Sequence, residues 1–209
     1  GGTILRICQA VVAPHLHGMG LGRRLVQSVY NFAAHADDVV EVTVENPCPA
    51  FVSLRDGIDY GIFRERIAEM VSPEGILSPD HADREKMIFL TEAAAMVFAG
   101  CLKIVPSQLV IAYEIWKLEG IIKRLPPGYE VPKDPEDIST RPYRLMVKKR
   151  LAREHADILT TMGKNKTKKQ EFLVKKYANV YCHYLDLLRR RNHNPEIQIT
   201  GKNDSIEGK

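Results

Sequence analysis

A glycine-rich turn near the start of the chain has the composition of an anion-binding site. Gly18, Gly20 and Gly22 occupy every second position between His17 and Arg23, and the absence of Cβ atoms lets a ligand approach the backbone closely. A helix that begins directly after such a turn presents free N–H groups and the positive end of its dipole. The spacing therefore predicts a pyrophosphate site, with a glycine turn that binds nothing as the alternative.

Two familiar phosphate motifs do not fit this turn. A dinucleotide fingerprint needs its third glycine where Arg23 stands, and a P-loop needs Gly-Lys-Ser/Thr, which is absent. Arg23 and Arg24 instead add positive charge beside the turn.

Glu45 is the second candidate for chemistry. It follows the apolar run Val39–Val44 and precedes Asn46-Pro47. The carboxyl ends of strands are where α/β sheets place catalytic groups, and a carboxylate there suits a general base. A strand-ending surface glutamate is the alternative interpretation.

The surrounding sequence predicts the elements that must position these residues. Ile4–Ala13 is apolar and rich in branched residues, which favours a strand buried on both faces. A helix follows the glycines, and Val39–Val44 forms a second strand. The order strand, glycine turn, helix, strand indicates an α/β (α+β) fold. The helix repeats its apolar residues at helical spacing, as Leu21, Leu25, Val29 and Phe32.

Helices are predicted for most of the chain after the second strand. Phe51 and Leu54 lie one turn apart and should point inward. Ser78 is a suitable N-cap with Pro79 at the first helical position, and Gly100 is the corresponding C-terminal stop. The predicted helices fall within residues 47–59 and at roughly 63–71, 79–99 and 106–123.

Prolines separate these helices from a basic region. Residues 125–140 are proline-rich and predict an extended connector, and Trp116 ahead of them is expected to anchor the core. A basic helix at roughly 142–159 and a last helix at roughly 168–191 follow, and the tail from 192 is predicted to be disordered. The last helix carries an apolar stripe that should dock on another helix, in this chain or a partner: Leu173, Tyr177, Val180, Tyr184 and Leu188.

The composition predicts a protein with a real core in a reducing compartment. The chain has 209 residues, of which 44% are hydrophobic, enough for one compact domain plus a helical extension. Its scattered cysteines and the isolated His15-x-His17 pair predict neither a zinc site nor a disulfide framework. No signal peptide or membrane-length apolar run occurs, so we expect an intracellular protein without membrane contact.

Charge is distributed unevenly along the chain. Residues 141–191 carry 15 Lys/Arg against 4 Asp/Glu, whereas residues 1–140 carry 13 against 19. The acidic part suits a cationic peptide substrate. The basic part suits nucleic acid or an acidic chaperone, and the alternative is the solvated face of surface helices.

Several motifs resemble one acetyltransferase family. The turn from His17 to Gly22 resembles motif A of the GNAT acetyltransferases, Gln/Arg-x-x-Gly-x-Gly/Ala, except at its first position. The next segment resembles the Glu-Asp-Pro, Phe/Tyr and Leu-Arg-Asp signature of the type B histone acetyltransferases, and two later segments resemble that family's helical region, over roughly residues 3–155. The matching residues are Glu45-Asn46-Pro47, Ala50-Phe51, Leu54-Arg55-Asp56, Tyr113-Glu114-Ile115 with Leu118, and Tyr143-Arg144-Leu145 with Lys148-Lys149-Arg150-Leu151.

This resemblance implies roles for individual residues. It assigns the general base to Glu45, and it implies acetyl-CoA as co-substrate with no metal. Asn46 stands where the family usually has Asp, and an amide cannot take a proton at neutral pH. The coenzyme-binding positions that it implies are Ala10, Val11, Val12, His17, Gly18, Met19, Gly20, Leu21, Gly22, Arg23 and Cys48.

A general base has a clear purpose in acetyl transfer to lysine. A free lysine has a pKa near 10.4, so only about 0.04% is the neutral nucleophile at pH 7. A carboxylate beside the attacking nitrogen, or one water away, removes the proton as attack proceeds. Glu45 is the carboxylate that the sequence nominates.

The resemblance also implies an organisation for the chain. By this resemblance, the chain corresponds to the C-terminal portion of such an enzyme. It would contain a partial GNAT core at 1–62, a helical domain at 63–125, a connector at 126–140, a basic extension at 141–191 and a tail at 192–209. The implied function is acetylation of lysines in free histone tails, chiefly histone H-four, together with a WD-repeat histone chaperone, in nucleus and cytoplasm. Another GNAT amine acetyltransferase and a non-catalytic histone- or nucleic-acid-binding module are the alternatives.

Overall fold

A computed structural model describes residues 1–70, 92–123 and 141–193. The predicted helix start at Ser78, the connector at 126–140 and the tail beyond 193 lie outside these ranges. The strands are β1 (Thr3–Ile7) and β2 (Val39–Val44). The helices are α1 (Leu21–His35), α2 (Pro49–Met70), α3 (Glu92–Leu102), α4 (Pro106–Lys123), α5 (Arg141–Glu154), α6 (Ala156–Thr161) and α7 (Lys166–His193).

The two strands form a small parallel sheet, in which Ile7 pairs with Val44. The other edge of β2 meets Ile104 through one isolated bridge at Val42. The prediction of a strand over Ile4–Ala13 buried on both faces is wrong in two respects, because β1 ends at Ile7 and its residues are exposed or only half-buried. Since β2 also ends there, residues 8–13 have no neighbouring strand with which to exchange hydrogen bonds. The described part is thus mostly helical, an α+β arrangement around a short sheet.

Helix α1 buries a different face from the predicted one. Its buried residues are Val26, Tyr30 and Ala33, whereas Leu25 is 46% exposed and Phe32 is 63% exposed. Both faces of α1 are apolar, and the face that meets the sheet and α2 becomes the core. The predicted stripe instead lies beside β1, where Leu25, Val29 and Phe32 line a shallow pocket together with Leu5 and Ile7.

Helix α2 is one continuous helix where the sequence predicted two, within residues 47–59 and at roughly 63–71. The prediction of a break between Asp59 and Phe63 is wrong, because the helix runs from Pro49 to Met70 without interruption. Gly61 lies inside the helix, where a Cβ would come 3.3 Å from Nη1 of Arg191. The predicted domain boundary after residue 62 therefore falls inside this helix. Phe51 and Leu54 pack partly buried against the core, which confirms their inward orientation.

Helix α3 ends in a Schellman motif rather than at Gly100. The N–H of Ile104 donates to the carbonyl of Ala99, and the N–H of Lys103 donates to that of Gly100. Lys103 takes the left-handed conformation, with φ of 57°. Its Nζ donates to the carbonyl of Val39 at 2.6 Å, so the same residue ends α3 and fastens it to β2.

The helices after α3 complete the core. The bounds of α4 match the prediction, and Trp116 packs half-buried with its ring edge against Phe63. The predicted basic helix is two helices, α5 and α6, separated at His155. The stripe of α7 is confirmed and docks within the chain: Tyr177, Tyr184 and Leu188 are buried, and Leu173 and Val180 are partly buried.

A buried ion pair joins three of these helices. Arg150 of α5 donates to both carboxylate oxygens of Glu114 in α4, at 2.8 Å each. The hydroxyl of Tyr184 in α7 also donates to Glu114, at 2.8 Å. Burial raises the pKa of Glu114 while Arg150 and Tyr184 oppose the shift. Because the guanidinium and the hydroxyl satisfy the carboxylate, this network fixes the relative position of α4, α5 and α7.

Candidate functional site

The parallel sheet places Glu45 beside the carboxyl end of β1. The backbone N–H of Glu45 donates to the carbonyl of Ile7 at 3.0 Å, so Glu45 lies beside the point where the chain leaves β1. Its side chain is exposed, as is that of Cys48. Asn46 follows with φ of 44°, a left-handed conformation that asparagine tolerates better than most residues. This turn directs the chain away from the sheet into α2.

The segment after β1 leaves its backbone available. Ala10 and Val11 are exposed and Val12 is half-buried. Within the described ranges, the N–H groups of these three residues donate no backbone hydrogen bond. Nε2 of His17 lies 2.8 Å from the carbonyl of Val12, which folds the segment back over a short 3-10 turn at Pro14–Leu16. The arrangement presents backbone donors at the same edge as Glu45.

The glycine turn has the backbone geometry that only glycine adopts easily. Gly18 and Gly20 have φ of 78° and 76°, and a Cβ at either position would meet nothing within 4 Å. Both residues therefore border open space. Met19 lies between them and is 65% exposed.

Helix α1 begins at Leu21 without a side-chain cap. Its first N–H groups have no intrahelical partner, and no acidic residue occupies its first turn. Gly22 packs against α2, since a Cβ there would lie 3.4 Å from Cδ2 of Leu54. The half-buried Arg23 follows. A turn open on one side, with free N–H donors and a guanidinium, fits a pyrophosphate.

The Leu54-Arg55-Asp56 triplet supports this site from three directions. Leu54 contacts Gly22 at the start of α1. Arg55 is buried and its Nη2 donates to the carbonyl of Val42 at 2.9 Å. Asp56 is buried and its Oδ2 lies 2.9 Å from Nε2 of His183 in α7. Consecutive residues of one helix thus attach α2 to α1, β2 and α7, a positioning role that the sequence motif alone did not indicate.

A second buried acidic residue, Asp59, lies one helical turn after Arg55 in α2. Oδ2 of Asp59 is 3.3 Å from Nε of Arg55. Burial raises the pKa of Asp59 to about 7, although the charge of Arg55 opposes the shift. Burial and the Asp59 carboxylate also raise the pKa of Tyr30 in α1. This cluster holds α1, α2 and β2 together beneath the glycine turn.

The described ranges contain no cluster of three or more His, Cys, Asp or Glu residues suited to a metal ion. Those same residues include no helix long and apolar enough to cross a membrane.

Comparison with curated proteins identifies similar chains in fungi. No protein-family model matches the chain. It is 26% identical to a Pyricularia oryzae protein over 97% of this chain and 45% of that protein. It is 25% identical to a Neurospora crassa protein over 88% of this chain and 41% of that one. An Aspergillus fumigatus protein is 38% identical over 36% of this chain and 13% of its own length.

Each of these relatives is named histone acetyltransferase type B catalytic subunit. The similarity to the first two extends over most of the chain and confirms the resemblance that the motifs predicted. The chain spans less than half the length of the first two relatives.

Proposed function

We propose that this chain carries the coenzyme-binding turn and the general base of a histone lysine N-acetyltransferase. The observation that carries the proposal is the placement of Glu45 beside the open end of β1. Its backbone N–H donates to the carbonyl of Ile7, and the glycine turn lies near the segment after β1, since a Cβ at Gly22 would be 3.9 Å from Cγ2 of Val12. The names of the fungal relatives supply the reaction class. In this proposal, β1, α1 and β2 are part of a GNAT core.

Acetyl-CoA is the proposed co-substrate and supplies the acetyl thioester. The N–H groups at the start of α1, with Gly18 and Gly20 bordering open space, are proposed to hold its pyrophosphate. The free N–H groups of Ala10, Val11 and Val12 are proposed to pair with its pantetheine arm. The remaining proposed contacts are His17, Met19, Leu21, Gly22, Arg23 and Cys48.

Glu45 is the proposed base. Its side chain is exposed, and in this proposal its carboxylate takes the proton from the lysine amine directly or through a water. Asp56 and Asp59 are unsuited to this task because both are buried within α2 contacts. Histone tails, rich in lysine, are the proposed substrates, and histone H-four is the proposed type.

The proposed partners and location follow from the family resemblance. A WD-repeat histone chaperone is the proposed protein partner, and the nucleus and cytoplasm are the proposed compartments. The basic surplus of residues 141–191 suits contact with an acidic chaperone or with nucleic acid.

The first experiment is calorimetric titration of this chain with acetyl-CoA. Saturable binding that is lost in Gly20→Glu supports a working coenzyme site, because a carboxylate there repels the pyrophosphate. Absence of saturable binding to the unaltered chain contradicts the proposal. Histone H-four peptide and a small polyamine are then compared as acetyl acceptors.

A conservative substitution tests the base. Glu45→Gln should retain acetyl-CoA affinity and lower turnover of the H-four peptide by roughly 10²–10⁴-fold. Glu41→Gln is the matched control, because Glu41 lies on the same strand away from its end. Unchanged turnover in Glu45→Gln removes this residue from the mechanism. Equal use of polyamine and peptide favours a different GNAT enzyme, and peptide binding without acetyl-CoA binding favours a non-catalytic module.

A further inference from the structure

Arg23 lies over a glycine of α2 rather than over an acidic residue. Its Nη2 would be 3.3 Å from a Cβ at Gly57, and Cδ2 of Leu187 in α7 would be 3.5 Å from the same position. Arg23 is half-buried. The absence of a side chain at Gly57 is therefore what lets the guanidinium pass between α1, α2 and α7.

A second arginine crosses the same face of α2 one helical turn further on. Nη1 of Arg191 would be 3.3 Å from a Cβ at Gly61. The guanidinium carbon of Arg191 is 5.4 Å from the ring centroid of Tyr60, in a cation-π contact. Gly57 and Gly61 are four residues apart, so the two arginines cross α2 roughly 6 Å apart along its axis.

Among the described residues, neither arginine has a carboxylate partner. Within the described ranges, no carboxylate lies within ion-pair distance of Arg23 or Arg191. Arg64 of α2, by contrast, has a carboxylate partner, since its Nε lies 3.5 Å from Glu119. Burial and the charge of Arg191 lower the pKa of Arg23. Two partly buried guanidinium groups that repel each other form a site that an anion would stabilise.

We propose that Arg23 and Arg191 together form a phosphate subsite, to which the last helix contributes Arg191. This inference rests on the proposed function, because Arg23 is the third residue of the helix that follows the glycine turn. The ligand group is a phosphate of a coenzyme A nucleotide. Coenzyme A carries a diphosphate and a 3′-phosphate, and both have the oxygen geometry that a guanidinium recognises.

The test uses the whole chain and three ligands: acetyl-CoA, its form without the 3′-phosphate, and adenosine 3′,5′-bisphosphate. Arg191→Gln should weaken acetyl-CoA binding by roughly 10- to 100-fold, the loss expected for a charge-assisted hydrogen bond. Arg190→Gln is the matched control, since Arg190 is the exposed neighbour on the same helix. Arg191→Lys keeps the charge without the planar fork and should give an intermediate loss.

The pattern of losses identifies the phosphate. If the 3′-phosphate binds here, the ligand that lacks it binds the unaltered chain more weakly and is insensitive to Arg191→Gln. If the diphosphate binds here, all coenzyme forms lose affinity equally. Circular dichroism and melting temperature verify that each variant is folded.

Failure of this inference differs from failure of the proposed function. If Arg191→Gln and Arg190→Gln bind acetyl-CoA equally well, the subsite is overturned while the coenzyme site stands. If adenosine 3′,5′-bisphosphate binds in an Arg191-dependent way but acetyl-CoA does not bind, the subsite stands and the proposed function fails. Absence of binding by all three ligands overturns both.

Discussion

Nε2 of His183 lies 2.9 Å from Oδ2 of Asp56, and this contact joins residues that are 127 positions apart in the chain. Asp56 is buried, whereas the His183 side chain is 31% exposed. Nε2 of Gln108 in α4 donates to the other oxygen of Asp56 at 3.4 Å. One carboxylate therefore links α2, which follows the proposed base, to both the central and the last helix.

Loss of the His183 contact should loosen the last helix. His183→Ala leaves one oxygen of a buried carboxylate without its partner, and we expect a decrease of about 1–3 kcal/mol in the free energy of unfolding. Urea denaturation measures this change, and hydrogen exchange should show faster opening in α7. Cys182→Ala is the control, because Cys182 is exposed on the same helix. Equal stability of the two variants contradicts a linking role for His183.

The Glu114–Arg150 pair should respond differently to single and double substitution. Arg150→Met leaves the buried Glu114 carboxylate with Tyr184 alone, and a loss of about 3–5 kcal/mol is expected for an uncompensated buried charge. Glu114→Leu should be less destabilising, because Arg150 keeps its ion pair with Glu154 at 2.8 Å.

The double variant should be more stable than either single variant, since two apolar side chains leave no buried charge. Chemical denaturation of all four proteins gives the coupling energy. Additive losses in the double variant contradict the pairing described here.

Asp59 should make stability depend on pH. Burial raises its pKa to about 7 from an ordinary value of 3.8. Between these pH values the folded protein holds a proton that the unfolded chain releases. The contribution of Asp59 to the free energy of unfolding is therefore fully present below about pH 4. It decreases as the pH rises toward 7, by at most about 1.4 kcal/mol per pH unit.

Asp59→Asn removes this titration. Denaturation midpoints of both proteins across the range from acid to neutral pH provide the measurement. The stability difference between the two proteins should change with pH, and a difference that stays constant throughout shows that Asp59 does not titrate there.

Two glycines of the same turn should respond oppositely to alanine. Gly20 has φ of 76°, so Gly20→Ala forces a side chain into the left-handed region at a cost of about 1–2 kcal/mol. Gly22 lies inside α1, where an alanine Cβ would meet Cδ2 of Leu54 at 3.4 Å. Gly22→Ala should be neutral or stabilising by up to about 1 kcal/mol. Thermal unfolding distinguishes them, and equal losses would exclude a conformational role for Gly20.

Local sequence patterns predicted the elements that local forces decide. Val39–Val44 and Pro106–Lys123 have the predicted bounds because an apolar run or a helix-starting proline determines each of them within a few residues. The glycine turn and the strand-ending Glu45 were likewise identified from adjacent residues.

Tertiary packing decided the features that the patterns did not predict. Helix α1 has two apolar faces, and only contact with α2 and the sheet selects Val26 over Leu25. Gly61 weakens a helix by propensity, yet α2 continues through it, with Ile58, Phe63 and Ile67 on either side buried in the core. The Asp56–His183 contact spans most of the chain, so no local spacing indicates it.

The pairing of Ile7 with Val44 restricts which insertions and deletions this chain tolerates. Side chains alternate between the two faces of a strand, so an insertion that shifts β2 by one residue against β1 would move Glu45 to the opposite face of the sheet. The connection there is three residues long, Ala36, Asp37 and Asp38, and the N–H of Thr3 already donates to the carbonyl of Asp38. The turn between α6 and α7 around the exposed Gly163 carries no such constraint. Among related sequences, insertions and deletions should therefore occur in the turn between α6 and α7 and be absent from the connection between α1 and β2.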